Sequence, residues 1–208
     1  MAKMLPHEKS LYILVGAVFL DLLAVAIIIP LLPVYAKQLG ASPSTYGLFG
    51  TIYGVFQLVG APFTGRMSDV YGRKFLLMVN FALAGFSYLG TGLATNLLFL
   101  FACRIPVGFG KQTLSVSYAY ITDMSPEKHR SFWFSLIGAA IAIGFIIGPV
   151  LGGKLSTYDK QLPAFVSASL FALNFVMTGI FLPESSHQSH LPTSSDKPRQ
   201  PFFKLLTQ

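Results

Sequence analysis

The stretch at positions 11–36, LYILVGAVFLDLLAVAIIIPLLPVYA, is an apolar run with a single charged residue, Asp21. A helix of about 20 apolar residues crosses a hydrocarbon core of about 30 Å, so this run is long enough to span a membrane. It is too long for the apolar region of a signal peptide, which also carries no charge at its centre. The run therefore predicts a transmembrane helix.

Five further apolar runs of similar length follow the first. The six predicted crossings are residues 11–36, 46–66, 75–94, 97–121, 132–155 and 162–182. Prolines at positions 30, 33, 62 and 106 predict kinked helices packed against neighbours, because a carbonyl freed by proline has no partner in lipid. The predicted fold class is an all-α, polytopic membrane protein with six transmembrane helices.

The composition favours the same class and excludes others. Hydrophobic residues make up 53% of the 208 residues and charged residues only 11%, whereas soluble domains carry about 25% charged residues. The net charge of +7 forms no basic stripe, so no nucleic-acid partner is expected. Cys103 is the single cysteine, which excludes an intrachain disulfide, and the four histidines have no metal-site spacing. No cofactor or metal is predicted.

Basic residues are concentrated in the connections on one side of the predicted helices. Those on the richer side are Lys3, Lys9, Arg66, Arg73, Lys74, Lys128, Arg130, Lys197, Arg199 and Lys204, and those on the other are Lys37, Lys154 and Lys160. The richer side is expected to be cytoplasmic, with both termini there. Residues 1–10 are then a cytoplasmic N-terminus, 11–183 the bundle, and 184–208 a polar linker belonging to a longer protein.

Two glycine-containing motifs follow the first crossing. Residues 65–74, GRMSDVYGRK, contain Gly65, Asp69, Gly72, Arg73 and Lys74 and predict a tight cytoplasmic turn; an ordinary positive-inside loop is the alternative. In the fifth crossing, residues 144–153 read GFIIGPVLGG. The motif residues there are Gly144, Gly148, Pro149, Gly152 and Gly153. Glycines four apart share a helix face and let another backbone approach, although such packing is common in membrane helices, and Pro149 predicts a bend.

Three charged residues lie inside predicted crossings: Asp21, Arg104 and Lys111. Charge in a membrane is costly, so these are candidate functional residues. At 1.5 Å per residue, Asp21 and Lys111 each lie about 15 Å from the cytoplasmic end of their crossings. Arg104 is seven residues before Lys111 on the same predicted helix, two turns away and so on nearly the same face, and about 10 Å nearer the outside.

Together, these motifs resemble the major facilitator superfamily, in particular its drug:proton antiporter branch, which contains the tetracycline exporters. Residues 65–74 resemble the loop between helices two and three, residues 144–153 the antiporter motif of helix five, and Arg104 the arginine of helix four. Residues 120–123 (YITD) resemble the end of helix four. Residues 39–43 and 111–115 resemble an animal subgroup of that superfamily. The resemblance covers about residues 10–183.

The resemblance implies the first half of a twelve-helix transporter whose helices one and four border a central cavity. Asp21 and Lys111 are then expected to face each other or a common solute. Arg104 is expected to bond the backbone of the helix-one kink, near residues 29–33, or to take part in proton transfer. The family carries Arg or Lys where this chain has Val70, which leaves Arg73 as the expected partner of Asp123.

The three intramembrane charges are two cations and one anion, and the imbalance needs compensation. A carboxylate from a second six-helix half, an anionic substrate, or a neutral state of Lys111 would each supply it. The predicted function is secondary transport of a small solute by alternating access across a lipid bilayer, with antiport of protons. The alternative is a non-transporting membrane scaffold or receptor-like half-length product. No phosphate-binding loop or hydrolase motif indicates an enzyme, and no catalytic residue is predicted.

Overall fold

The computed structural model describes residues 6–185, and within that range the backbone is helical with short connections and no strand. The helices are α1 (Pro6–Ile28), α2 (Leu32–Gln38), α3 (Pro43–Tyr71), α4 (Arg73–Gly92), α5 (Leu97–Ala102), α6 (Arg104–Gly110), α7 (Thr113–Met124), α8 (Glu127–Tyr158) and α9 (Leu162–Phe181). With α1–α2 as the first crossing and α5–α7 as the fourth, they form the six predicted segments. Most of the predicted linker, and the basic residues Lys3, Lys197, Arg199 and Lys204, lie outside the described residues.

Five of the six segments are long and apolar enough to cross a membrane. They are Glu8–Gln38, Arg73–Gly92, Leu97–Met124, Glu127–Tyr158 and Leu162–Phe181. The remaining helix, α3, has 29 residues, so its length suffices, but it is less apolar than the others. Its glycines and Gln57 lower its hydropathy. Many large apolar side chains on the outside of the bundle are exposed, as expected where lipid replaces water.

The first crossing changes geometry at its two prolines. A 3-10 turn, Ile29–Leu31, contains Pro30 and separates α1 from α2, and Pro33 lies in the first turn of α2. Proline lacks a backbone N–H and clashes with the carbonyl four residues earlier, so an α-helix does not pass through this segment unchanged. The predicted interruption is confirmed here, whereas the helical geometry of α3 and α8 continues through Pro62 and Pro149.

The fourth crossing is not the continuous helix that the sequence predicted. It breaks at Cys103, where the ring of Pro106 opposes the carbonyl of Ala102, and again at Lys111 and Gln112. Lys111 has φ −79° and ψ 86°, which is not helical, and the preceding Gly108 and Gly110 favour helix weakly. Both breaks lie outside the segment that joins Arg104 to Lys111: this segment is helix α6, and the N–H of Lys111 donates to the carbonyl of Val107 as in an α-helix. The predicted continuous crossing is therefore wrong, whereas the shared face of Arg104 and Lys111 stays a prediction.

Helix α1 packs chiefly against α8 and α9. Polar side chains of α9 bond its backbone: Ser167 Oγ donates to the carbonyl of Ala24, and Asn174 Nδ2 donates to the carbonyl of Ala17, both at 2.8 Å. Such hydrogen bonds hold helices together in an apolar medium. Because α1 carries Asp21, this packing fixes the position of that carboxylate.

Candidate functional site

An ion pair joins the first and fourth crossings. Lys111 Nζ donates to Asp21 Oδ1 at 2.5 Å, and the exposed fractions of the two side chains are 13% and 1%. The predicted juxtaposition of the two residues is confirmed as a direct contact. The negative charge of Asp21 therefore compensates the positive charge of Lys111, and Arg104 is the remaining cation inside the predicted crossings.

The local backbone explains how Lys111 reaches the carboxylate. Lys111 is the first residue of the break between α6 and α7, where its N–H donates to the carbonyl of Val107 at 2.8 Å. Gln112, the next residue, donates from Nε2 to the carbonyl of Gln57 in α3 at 3.0 Å. The second carboxylate oxygen, Asp21 Oδ2, is buried without a hydrogen-bond partner. It is therefore an acceptor at which a proton or a donor group can bind.

Arg104 occupies a separate position. Its guanidinium carbon lies 4.5 Å from the centroid of the Tyr88 ring, and its Nε and Nη2 are buried without hydrogen-bond partners. The expected bond from Arg104 to the backbone near residues 29–33 is not formed within the described residues. The guanidinium stacks on the face of Tyr88 instead, where the ring quadrupole attracts the cation.

Two aromatic residues connect the two cations. Tyr88 of α4 stacks on Phe171 of α9 with ring centroids 5.1 Å apart, and Lys111 Nζ lies 4.7 Å from the centroid of Phe171. Arg104 is therefore linked to Lys111 through the faces of Tyr88 and Phe171. Sequence reasoning did not identify either aromatic, because many similar residues occur in apolar runs; only their contacts with cations distinguish them.

A second charged cluster lies where α3, α4 and α7 meet. Arg73 Nε contacts Asp123 Oδ2 at 3.1 Å, Arg73 Nη1 contacts Asp69 Oδ1 at 2.5 Å, and Nη1 also donates to Ser68. The expected pairing of Arg73 with Asp123 is confirmed. The expected loop over residues 65–74 is corrected: α3 runs to Tyr71, and Gly72, with φ +96°, is the whole turn.

Glu184 completes this cluster and was not found from the sequence. Its Oε1 accepts from the backbone N–H of Lys74 at 3.0 Å, and Lys74 Nζ donates to the carbonyl of Gly179 at 2.8 Å. Gly72 has φ +96°, which favours glycine, and a Cβ there would lie 2.6 Å from the Glu184 carboxyl carbon, so the Glu184 side chain would have to move aside. A carboxylate at the start of α4 is favourable for the helix dipole, but no signal in the sequence links Glu184 to a helix that begins 111 positions earlier.

The glycines of α8 form the face against α1. A Cβ on Gly144 would lie 3.2 Å from the nitrogen of Leu23, one on Gly148 would lie 2.9 Å from the carbonyl carbon of Ala26, and one on Gly152 would collide with Ile27. The predicted close approach is confirmed for these three. A Cβ on Gly153 would meet nothing within 4 Å, so that glycine does not belong to the face.

Replacing Arg73 with glutamine is expected to lower the free energy of unfolding by about 1 kcal/mol, because contacts to two carboxylates are lost at a partly solvated site. Thermal unfolding in detergent measures the change. Arg66→Gln is the matched control, since Arg66 is exposed and forms no ion pair within residues 6–185. Equal stability of the two variants would contradict the assignment.

Apolar helices long enough to cross a membrane, with an ion pair in their interior, define a polytopic membrane protein. The sequence pattern of the Major Facilitator Superfamily matches residues 14–208. The chain belongs to this superfamily of transporters. Its assignment to an animal subgroup stays a prediction.

Known relatives agree with this membership. The class H tetracycline resistance protein of Pasteurella multocida is 30% identical over 203 residues, covering 96% of this chain and 51% of the relative. The class G protein of Vibrio anguillarum is 33% identical, covering 95% and 51%. The crystal structure of the human organic anion transporter MFSD10 (TETRAN) matches with a TM-score of 0.79 at 24% identity, over 88% of this chain and 49% of that one, and shows the fold alone. The chain thus spans about half the length of the curated relatives it matches.

Proposed function

We propose that this chain is one six-helix wall of a secondary transporter that moves a small solute by alternating access. The observation that carries the proposal is the buried ion pair between Asp21 of α1 and Lys111 at the break of the fourth crossing. Carriers of this architecture hold their sites near the bilayer midplane, at discontinuous helices between two repeats. A second six-helix half, from the same full-length chain or a dimer partner, supplies the other wall.

The ion pair supports a proton-coupled exchange. Protonation of Asp21 removes the negative charge that holds Lys111, which frees the lysine to move or to meet a solute. Asp21 Oδ2, buried and unpartnered, is the acceptor in this scheme. The sequence similarity to tetracycline resistance proteins supports a small organic solute, and antiport with protons follows the same resemblance.

The second charged cluster, formed by Asp69, Arg73 and Asp123, supports a role in closing the cytoplasmic side of the transporter. Both termini are cytoplasmic in this proposal, which places Asp69, Arg73 and Asp123 at the inner surface. Asp69 has an exposed fraction of 60%, so its carboxylate is accessible to the second half when the cytoplasmic side closes. Arg73 holds this carboxylate at the start of α4, and Lys74 and Glu184 tie α4 to the end of α9.

A non-transporting scaffold is the competing function. A scaffold gains nothing from a buried ion pair, which is costly to desolvate and weak as a source of stability. The pair therefore favours transport.

Flux into proteoliposomes that contain the complete transporter tests the proposal. An imposed pH gradient is expected to accelerate uptake of at least one solute in a panel of small aromatic compounds that includes tetracycline and a quinolone, because protonation of Asp21 is coupled to the change of access. A protonophore is expected to remove the acceleration. Uptake that equals that of protein-free liposomes for every solute would favour the scaffold.

A further inference from the structure

Of the two cations inside the predicted crossings, Arg104 is the one that no ion pair compensates within the described residues. Within the described residues the charge of Lys111 is met by Asp21, and that of Arg73 by Asp69 and Asp123, whereas Arg104 forms no ion pair. Two of its nitrogens, Nε and Nη2, are buried without a hydrogen-bond partner. A buried guanidinium without an anion is costly, and the face of Tyr88 compensates only part of that cost.

A cavity of about 190 Å³ lies beside this guanidinium. Its walls come from the first, second, third and fourth crossings, and no carboxylate lines it. The aromatic lining residues are Tyr46, Phe49, Tyr53, Tyr88 and Phe101. Phe49 and Phe101 stack on each other, so part of the lining consists of nearly parallel aromatic rings. The cavity combines one cation with aromatic faces.

We propose that this cavity binds the acidic group of an aromatic organic anion, with Arg104 as the residue that meets the carboxylate. The inference rests on the proposed function, since it names the substrate class of the same pathway. A guanidinium offers donors in a planar fork that matches the two oxygens of a carboxylate. The aromatic walls supply offset and edge-to-face contacts for the rest of the molecule.

The binding of an anion at Arg104 completes the charge balance of the half-bundle. Asp21 and Lys111 neutralise each other, so a monoanion at Arg104 leaves the three intramembrane charges compensated. The bound anion also lies across Tyr88 and Phe171 from Lys111, because Arg104 contacts the first ring and Lys111 the second. A solute at Arg104 therefore lies beside Tyr88, which stacks on the ring that Lys111 contacts.

Radiolabelled naphthalene-2-carboxylate is expected to bind directly to the full chain in lipid nanodiscs. Naphthalene-2-carboxamide, which has the same shape and no charge, is expected to compete at least tenfold more weakly. Arg104→Gln is expected to weaken binding of the carboxylate by about 10–100-fold, because a charge-assisted hydrogen bond is lost. Arg104→Lys is expected to fall between the parent and Arg104→Gln, since it keeps the charge and loses the fork.

Arg66→Gln is the control, because it removes an exposed positive charge outside the cavity. It is expected to bind the carboxylate as the parent does. Size-exclusion elution of each variant reports folding, and Arg104→Lys keeps the test valid if Arg104→Gln does not fold. Equal competition by carboxylate and carboxamide would overturn the proposal and would indicate that another carboxylate neutralises Arg104. Unchanged binding by Arg104→Gln would overturn it as well.

Flux measurements on the same preparations separate this inference from the proposed function. Transport with charge-independent binding would overturn the anion site and leave the transporter intact. Arg104-dependent binding without flux of any solute in the panel would support the anion site and contradict transport.

Discussion

Asp21→Asn is expected to lower the free energy of unfolding by about 3–5 kcal/mol and to abolish proton-driven transport. The substitution removes the only carboxylate that Lys111 contacts in the described part of the chain, and it leaves a buried ammonium without a counter-charge. Removing one partner of a buried ion pair costs about this much, because the remaining charge stays desolvated. Titration with a denaturing detergent, followed by circular dichroism, measures the stability, and proteoliposome flux measures transport.

The double variant Asp21→Asn/Lys111→Gln is the control that separates stability from function. It removes both charges, so most of the lost stability is expected to return, whereas transport stays absent because no group at this site changes charge. A double variant as unstable as Asp21→Asn would show that the charge pair is not the cause.

Lys111→Glu tests the same site by replacing the positive charge at position 111 with a negative one. It places a second carboxylate beside Asp21, where two like charges cannot both ionise without a large penalty. Loss of flux for every solute in the panel is expected. Unchanged flux across the panel would remove Lys111 from the pathway.

Much of the fold could be predicted from the sequence, because long apolar runs with few charges determine which segments cross a membrane as helices. Residue count placed Asp21 and Lys111 at a common depth, but that their helices are neighbours followed only from the resemblance to the superfamily. The pairing of Arg73 with Asp123 rested on the same resemblance, because Val70 stands where the family has a cation. These inferences combine position along the chain with a known arrangement of helices.

The parts that the sequence did not predict depend on tertiary contacts. The break at Lys111 and Gln112 is only weakly suggested by Gly108 and Gly110, and it is accompanied by the bonds of both side chains to other crossings. Sequence reasoning expected Arg104 to bond backbone, but Tyr88 of another helix lies against it. Local propensity contains no information on such partners. Glu184 was missed for the same reason, as its partner lies 110 positions away.

Gly152→Ala is expected to destabilise the protein by about 1–3 kcal/mol, and Gly148→Ala by a similar amount. In both cases the added methyl group meets the backbone of α1 at residues 26 and 27, which cannot move aside as a flexible side chain can. Helix α8 must then shift away from α1, which also disturbs the position of Asp21. A loss of transport larger than the loss of folded protein is therefore expected for Gly148→Ala and Gly152→Ala.

Gly153→Ala is the matched control one position away. Its added methyl group meets nothing within 4 Å, and alanine favours a helix over glycine by about 0.5–1 kcal/mol. The neighbouring substitutions are therefore expected to have opposite signs: Gly152→Ala lowers the midpoint of unfolding, and Gly153→Ala leaves it unchanged or raises it. If Gly152→Ala raised the midpoint as Gly153→Ala does, both substitutions would act through helix propensity and the contact of Gly152 with α1 would not limit the packing. The packing of α8 would then not determine where the carboxylate of Asp21 lies.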